Sequence, residues 1–186
     1  MQDEEGLVRR AQQRDQQAFT KLYEEYFDKI YRYIALRIGN KTEAEDMTQQ
    51  VFLNAIKSIS SFKWKGIPFS AWLFRIAHNQ VVDYLRKKAR HITVPLVESL
   101  SNTDGNPELV AEQNLDMERV LLATQQLTKT QREVISLRFA GGLSIAEAAK
   151  AMGKSQGAVK ALQHSAIVAL RRVLSVEWSN EEEQRI

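Results

Sequence analysis

Ser144-Ile145-Ala146-Glu147-Ala148-Ala149-Lys150-Ala151-Met152-Gly153-Lys154-Ser155 is the stretch that decides the fold. Ser144 and Glu147 have capping-box spacing, in which each side chain satisfies a free backbone amide beside the other and so starts a helix. Ile145, Ala148, Ala149 and Met152 then fall on one helical face. Gly153 ends that helix, because the tight turn favours a residue that tolerates positive φ, and Ser155 is a good cap for another. Ala149 keeps the side chain small where two such helices cross. In the second helix Val159, Leu162, Ala166, Ala169, Leu170 and Val173 form an apolar stripe. Its other side presents Lys160, His164 and Arg171, with Ser155 and Gln156 at the start. A helix laid in the major groove needs reachable polar side chains near its start and free amides aimed at phosphate. The pattern therefore predicts a helix-turn-helix that binds duplex DNA, against the plainer reading of a helical hairpin.

Moving outward, Thr130-Gln131-Arg132-Glu133 reads as the capping box of a preceding helix, with Val134, Ile135, Leu137 and Phe139 inward and Gly141-Gly142 as its stop. Arg132 joins the residues expected to meet duplex DNA. Near the N-terminus, Asp15 can cap a helix carrying Phe19, Leu22, Tyr23, Tyr26, Ile30 and Ile34, which Gly39-Asn40 can end. Thr42-Glu43-Ala44-Glu45 then opens a helix whose stripe is Met47, Val51, Phe52, Ala55, Ile56 and Ile59. A loop over 62–68 leads to a helix from about Phe69 that buries Trp72, Leu73, Ile76 and Ala77, while Arg75, Asn79, Asp83 and Arg86 share another face. No alternating run is long enough for a strand. The expected fold is all-α, two small helical domains joined by a flexible linker: a first domain over 1–91, an acidic linker over 92–112, a helix-turn-helix domain over 113–176 and an acidic, disordered tail over 177–186.

Composition narrows the function classes. The 186 residues are 44% hydrophobic, enough to fill real cores, and contain no cysteine and three scattered histidines. Neither a disulfide framework, a metal site nor a cofactor is expected, and no catalytic residues are: the chain shows no convergent carboxylates, no nucleophile beside a histidine and no phosphate loop. The acidic start and the lack of a long apolar run predict a cytoplasmic protein without membrane insertion. The net charge of +3 is unevenly spread. Over 57–91 eight basic residues face Asp83, over 128–176 eight face Glu133 and Glu147, and between them 92–120 holds six acids against Arg119. Two basic blocks flanking an acidic strap suit a polyanion gripped at two places.

Phe62, Trp64 and Phe69 interleave with Lys57, Lys63 and Lys65. That mixture suits unpaired bases, which stack on flat rings while lysines neutralise phosphate. For Trp64, stacking on a strand and pinning the loop to the core are both open; Trp72, on the apolar stripe, belongs to the core. Asn79 carries a donor and an acceptor in one amide, which suits base reading and equally a solvated surface.

Several stretches together resemble the extracytoplasmic-function (ECF, group IV) sigma factors of bacteria, over nearly the whole chain from Ala18 to Leu174. They are Glu45-Asp46-Met47-Thr48-Gln49-Gln50-Val51-Phe52, then Pro68-Phe69-Ser70-Ala71-Trp72-Leu73-Phe74-Arg75-Ile76-Ala77-His78-Asn79 with Asp83 and Arg86. At the C-terminus they are Leu127-Thr128, Gln131-Arg132-Glu133-Val134-Ile135 and Gly157-Ala158-Val159-Lys160-Ala161-Leu162-Gln163-His164. The resemblance implies a region 2 domain that recognises and melts the minus-ten element and a region 4 domain that reads the minus-thirty-five element as duplex. It implies core RNA polymerase as a partner, with Asp46, Gln49 and Gln50 docking on the clamp helices of the largest subunit and the other domain on the flap, promoter DNA as target, and an anti-sigma factor as a further partner. Lys63, Trp64, Lys65, Arg75, Asn79 and Arg86 would meet the melted strand. Gln50 stands where the family often has an acid, and Ser165 where an arginine is common. The acidic linker would thread toward the polymerase RNA channel or serve as a tether. The rival reading is a helix-turn-helix regulator that does not replace the polymerase specificity subunit.

Overall fold

The protein was analysed as a computed structural model that describes residues 4–64, 66–91 and 122–183. The linker expected over 92–112 lies outside these residues. Seven helices are described: α1 Glu4–Gln12, α2 Gln16–Ile38, α3 Lys41–Ser58, α4 Phe69–His91, α5 Lys129–Ile135, α6 Ile145–Met152 and α7 Gln156–Glu183. A 3₁₀ turn follows α3 at Ile59–Ser61, and α5 runs into a π-helical turn at Ser136–Ala140. No strand occurs among the described residues. None of the described helices is long and apolar enough to cross a membrane.

Helix ends follow local chemistry. Asp15 caps α2 by accepting from the Ala18 amide at 3.1 Å, and Gly39 ends it in the left-handed region at φ 71°. The cap of α3 is Asn40, which accepts from the Glu43 amide at 2.9 Å, so the expected start at Thr42 is corrected by two residues. Likewise Thr128, not Thr130, caps α5 in a capping box with Gln131. In both places the earlier residue holds an extended or non-helical backbone from which its oxygen reaches the third amide on, leaving the later threonine inside the first turn. The stretch 181–183, expected to be disordered, continues α7 as helix.

Leu22, Tyr26, Ile30, Tyr33 and Ile34 of α2 are buried, as are Val51, Phe52 and Ala55 of α3 and Phe69, Leu73, Phe74 and Ala77 of α4. Each large apolar side chain here stabilises the fold by about 1.5–3 kcal/mol relative to exposure. Two expected core positions face outward instead: Ile56 is 51% and Phe139 61% exposed. The π turn explains Phe139, since an added residue in one turn rotates the side chains that follow it off the stripe.

The core does not stop at the first four helices. It runs without a break from α1–α4 into α5, α6 and α7. Phe74 of α4 lies 5.6 Å from the Tyr33 ring, edge to face, and its far edge meets Gly141 after α5. Polar contacts cross the same seam. Ser70 of α4 donates to Glu147 of α6, Arg37 of α2 donates to the Lys129 carbonyl at 3.1 Å, and His78 Nδ1 lies 2.5 Å from Glu133 Oε1. The last is a close approach without hydrogen-bond alignment. The two sequence domains are thus packed as one body along α4 and α6.

Glu147 couples this seam to the helix-turn-helix. Its carboxylate accepts from the Ser144 amide at 2.8 Å and from the Ser70 hydroxyl. Burial pushes its pKa up, but the hydrogen bonds from Ser144 and Ser70 outweigh that and hold it below the ordinary 4.5. A carboxylate with a depressed folded-state pKa contributes stability above its unfolded pKa that is lost as pH falls through the folded value. Glu147→Gln should therefore destabilise the chain at pH 7, and its deficit relative to the parent should shrink below pH 4.5, read as urea midpoints across pH. A deficit independent of pH would contradict the assigned role.

Candidate nucleic-acid interface

The two helices read first in the sequence form as expected. Ser144 and Glu147 make the full capping box, Gly153 turns at φ 62°, and the Ser155 hydroxyl accepts from the Ala158 amide at 3.2 Å. Buried Ala148, Ala149 and Ala151 let α6 sit closely against α7, whose Val159 and Ala166 are also buried. On the opposite side Gln156, Lys160, His164 and Arg171 are exposed. The spacing of Lys160, His164 and Arg171 keeps them on one face. The start of α7 is exposed through Ala158, leaving room for a phosphate near its amides.

Arg132 departs from this group. Its guanidinium donates to the carbonyls of Thr124 at 2.8 Å, Gln125 at 2.6 Å and Leu127, closing the end of the preceding helical residues 122–125. It is a C-cap donor rather than a free hand for duplex phosphate. Two residues that the sequence reading passed over hold the reader in place. Arg138 donates to Gln163 Oε1 at 2.8 Å and to the Leu143 carbonyl, tying the turn before α6 to α7. Gln131 donates to Ser165 Oγ at 2.8 Å, so the serine that replaces the family's usual arginine has a partner within the domain. A side chain reaching from one helix to another has no local pattern by which sequence could reveal it.

In the first half, Arg75, Asn79 and Arg86 are exposed along α4, with Arg86 paired to Asp83 at 2.7 Å. Lys63 is exposed, and Lys65 lies outside the described residues. The loop rests on an aromatic cluster: Phe62 packs against Trp64, Phe69 and Trp72 with ring centres 5.2, 5.8 and 5.2 Å away. Phe69, at 1% exposure, belongs wholly to the core. Trp64 is half-buried on Phe62, so the pinned reading holds for part of its ring while the rest is open. Gln12 of α1, which no motif marked, donates to the carbonyls of Ile59 at 3.0 Å and Phe62 at 2.8 Å and braces the loop from behind.

On α3, Asp46, Gln49 and Gln50 are exposed, and Gln50 donates to Asn54 Oδ1 at 3.0 Å. Leu53 and Ile56, each half exposed, extend this face by one and two turns. Apolar side chains rimmed by amides and a carboxylate suit a protein partner better than nucleic acid. Among the described residues no cluster of histidine and carboxylate could hold a metal ion.

Residues 22–91 match Sigma-70 region 2, and residues 123–172 match Sigma-70, region 4. The chain is 41% identical over 170 residues to the ECF RNA polymerase sigma factor BldN of Streptomyces coelicolor, covering 90% of this chain and 64% of that protein. In three dimensions it is similar to CnrH, solved in complex with the cytosolic domain of CnrY, with TM-score 0.71, 25% identity and coverage of 91% and 96% of the two chains. The fold is also that of the sigma factor RpoE solved with the anti-sigma factor NepR from Bartonella quintana, with TM-score 0.67, 24% identity and coverage of 85% and 97%. With both regions present in family order, the chain belongs to the sigma-70 family, and within it is similar to ECF RNA polymerase sigma factors.

Proposed function

We propose that this chain binds core RNA polymerase and directs promoter-specific initiation, reading the minus-thirty-five element as duplex and the minus-ten element as melted strand. The observation that carries the reading is the pairing of two exposed basic surfaces, on α7 and on α4 with its loop, with a third, mixed apolar and polar face on α3. Ser155, Gln156, Lys160, His164 and Arg171 serve the duplex. Lys63, Trp64, Lys65, Arg75, Asn79 and Arg86 serve the single strand. Holding an extruded base offsets part of the few kcal/mol that unstacking costs, which makes opening depend on sequence. Asp46, Gln49 and Gln50, with Leu53 and Ile56, dock on the clamp helices, and the C-terminal half meets the flap. The catalytic step belongs to the polymerase, and the chain works beside it in the cytoplasm. The likeness to RpoE, captured with an anti-sigma factor, supports a partner of that class here.

The division of labour has a direct test on polymerase holoenzyme. Trp64→Ala should reduce strand opening, read by permanganate reactivity, more than duplex affinity, because a base–aromatic stack contributes about 1–3 kcal/mol. Lys160→Ala should do the reverse, weakening filter binding of upstream duplex and flattening its salt dependence by about one counterion. Equal losses in both assays for both variants would contradict the assignment.

A further inference from the structure

Helix α1 lies ahead of the residues that match region 2, and no motif in it points to DNA or polymerase. Its inner face is core: Val8 has no exposed surface and Ala11 is 6% exposed. A tight turn fixes its end. There the Asp15 amide donates back to the Arg10 carbonyl at 3.1 Å, Arg10 pairs with Asp15 at 2.6 Å, and Arg14 takes a left-handed backbone at φ 67°. That conformation is costly for a residue with a side chain, so the surrounding contacts hold it. Beside this turn the Gln12 amide reaches across to donate to the carbonyls of Ile59 at 3.0 Å and Phe62 at 2.8 Å. The two carbonyls bracket the 3₁₀ turn that ends α3, where helical donors run out. Phe62 is 6% exposed and carries Trp64 edge to face, with ring centres 5.2 Å apart. At the other end of α1, Glu4 accepts from the Tyr26 hydroxyl, Tyr26 meets Phe69 edge to face at 5.7 Å, and Phe69 meets Phe62 at 5.8 Å. One helix thus grips the support of Trp64 by two routes, through backbone carbonyls and through the aromatic cluster.

We propose that α1 is a brace for strand opening, in which Gln12 is the positioning residue that holds Phe62 and, through it, sets Trp64 for an unpaired base. The proposal rests on the reading of Trp64 as a ring on which the melted strand stacks. A loop held in its bound shape before the strand arrives loses less freedom on capture, so more of the stacking energy is left to offset unpairing. Glutamine suits the task because its amide group has two donors, which match two carbonyls. A glutamate of the same size has no donor when ionised and would repel both oxygens. Gln12 is half-buried behind the loop, so it acts through Phe62 and not by touching the strand.

The test compares polymerase holoenzymes carrying the parent chain, Gln12→Ala, Trp64→Ala and the double variant. Duplex affinity is read by filter binding, and opening at saturating promoter by permanganate reactivity. Gln12→Ala should leave duplex affinity unchanged and reduce opening about three- to tenfold, the weight of one or two neutral hydrogen bonds. Gln12→Glu should reduce it at least as much, which separates loss of the donor from loss of bulk. Should Gln12→Ala fail to fold, Gln12→Glu keeps the bulk and carries the same comparison. In the Trp64→Ala background either change at Gln12 should add nothing, because its effect passes through that ring. Arg9→Gln, at an exposed pair with Glu5 on the same helix, should leave opening unchanged. A merely structural role would lower opening by the same factor in both backgrounds, and that result overturns the proposal. Trp64→Ala impairing opening while neither change at Gln12 does so overturns the proposal alone. Opening untouched by Trp64→Ala overturns the strand-stacking reading and this proposal with it.

Discussion

Phe74→Ala is expected to lower unfolding stability by about 3–5 kcal/mol, the loss usual for a fully buried phenylalanine cut to alanine. At about 2–4 °C per kcal/mol for a chain of this size, the melting temperature should fall by roughly 10 °C. Phe74 has no exposed surface, packs edge to face on Tyr33, and touches Gly141 on its other side. Its removal therefore opens a cavity between the two halves as well as within the first. Urea unfolding with probes in each half should show both transitions moving together. A loss under about 1 kcal/mol would mean that Phe74 is not at a packed junction.

The second large effect is at Gly141. Its φ is −79°, so the backbone does not require glycine; the space does. A first side-chain carbon there would lie 2.6 Å from Phe74 Cε1 and 2.8 Å from the Leu137 carbonyl oxygen. The phenylalanine ring is enclosed and the carbonyl is backbone, so neither yields easily. Gly141→Leu should cost at least the roughly 1–3 kcal/mol usual for overpacking a close-packed site. In a Phe74→Ala background part of the clash is gone, so the two changes should be non-additive by about 0.5–3 kcal/mol. Strict additivity would mean that the halves do not meet at this point.

Much of the fold was legible because its signals are local. The Ser144–Glu147 box, the turn at Gly153 and the cap at Ser155 depend on backbone within four residues, and all three form as read. Asn40 and Thr128 show where local reading slips: each stands two residues before a threonine that is an equally good cap, and the direction of chain entry decides between them. Phe139 went astray because a π turn breaks the 3.6-residue period on which its inward placement rested. Of the candidate site, exposure was legible where it is periodic, as with Lys160, His164 and Arg171 or Arg75, Asn79 and Arg86. Arg132 looked free because its partners are backbone carbonyls, which sequence does not single out. The seam was not legible at all. Ser70 with Glu147, His78 with Glu133 and Phe74 with Gly141 meet across more than fifty residues of chain, and their pairing follows from packing rather than from any pattern within either half.

The packed seam also bears on the proposed activity, because α4 and α6 belong to the two halves proposed to read DNA separately and lie against each other in this state. The central claim is that the chain acts on a promoter only as part of polymerase. It is tested most directly by mixing the purified chain with core RNA polymerase and a promoter library, then measuring stable association and the start sites of the transcripts. The account predicts a complex that survives gel filtration and initiates from a restricted set of promoters, both lost when Leu53 and Ile56 on α3 are replaced by aspartate. A chain that binds duplex DNA by itself and neither associates with core polymerase nor changes its start sites would contradict it.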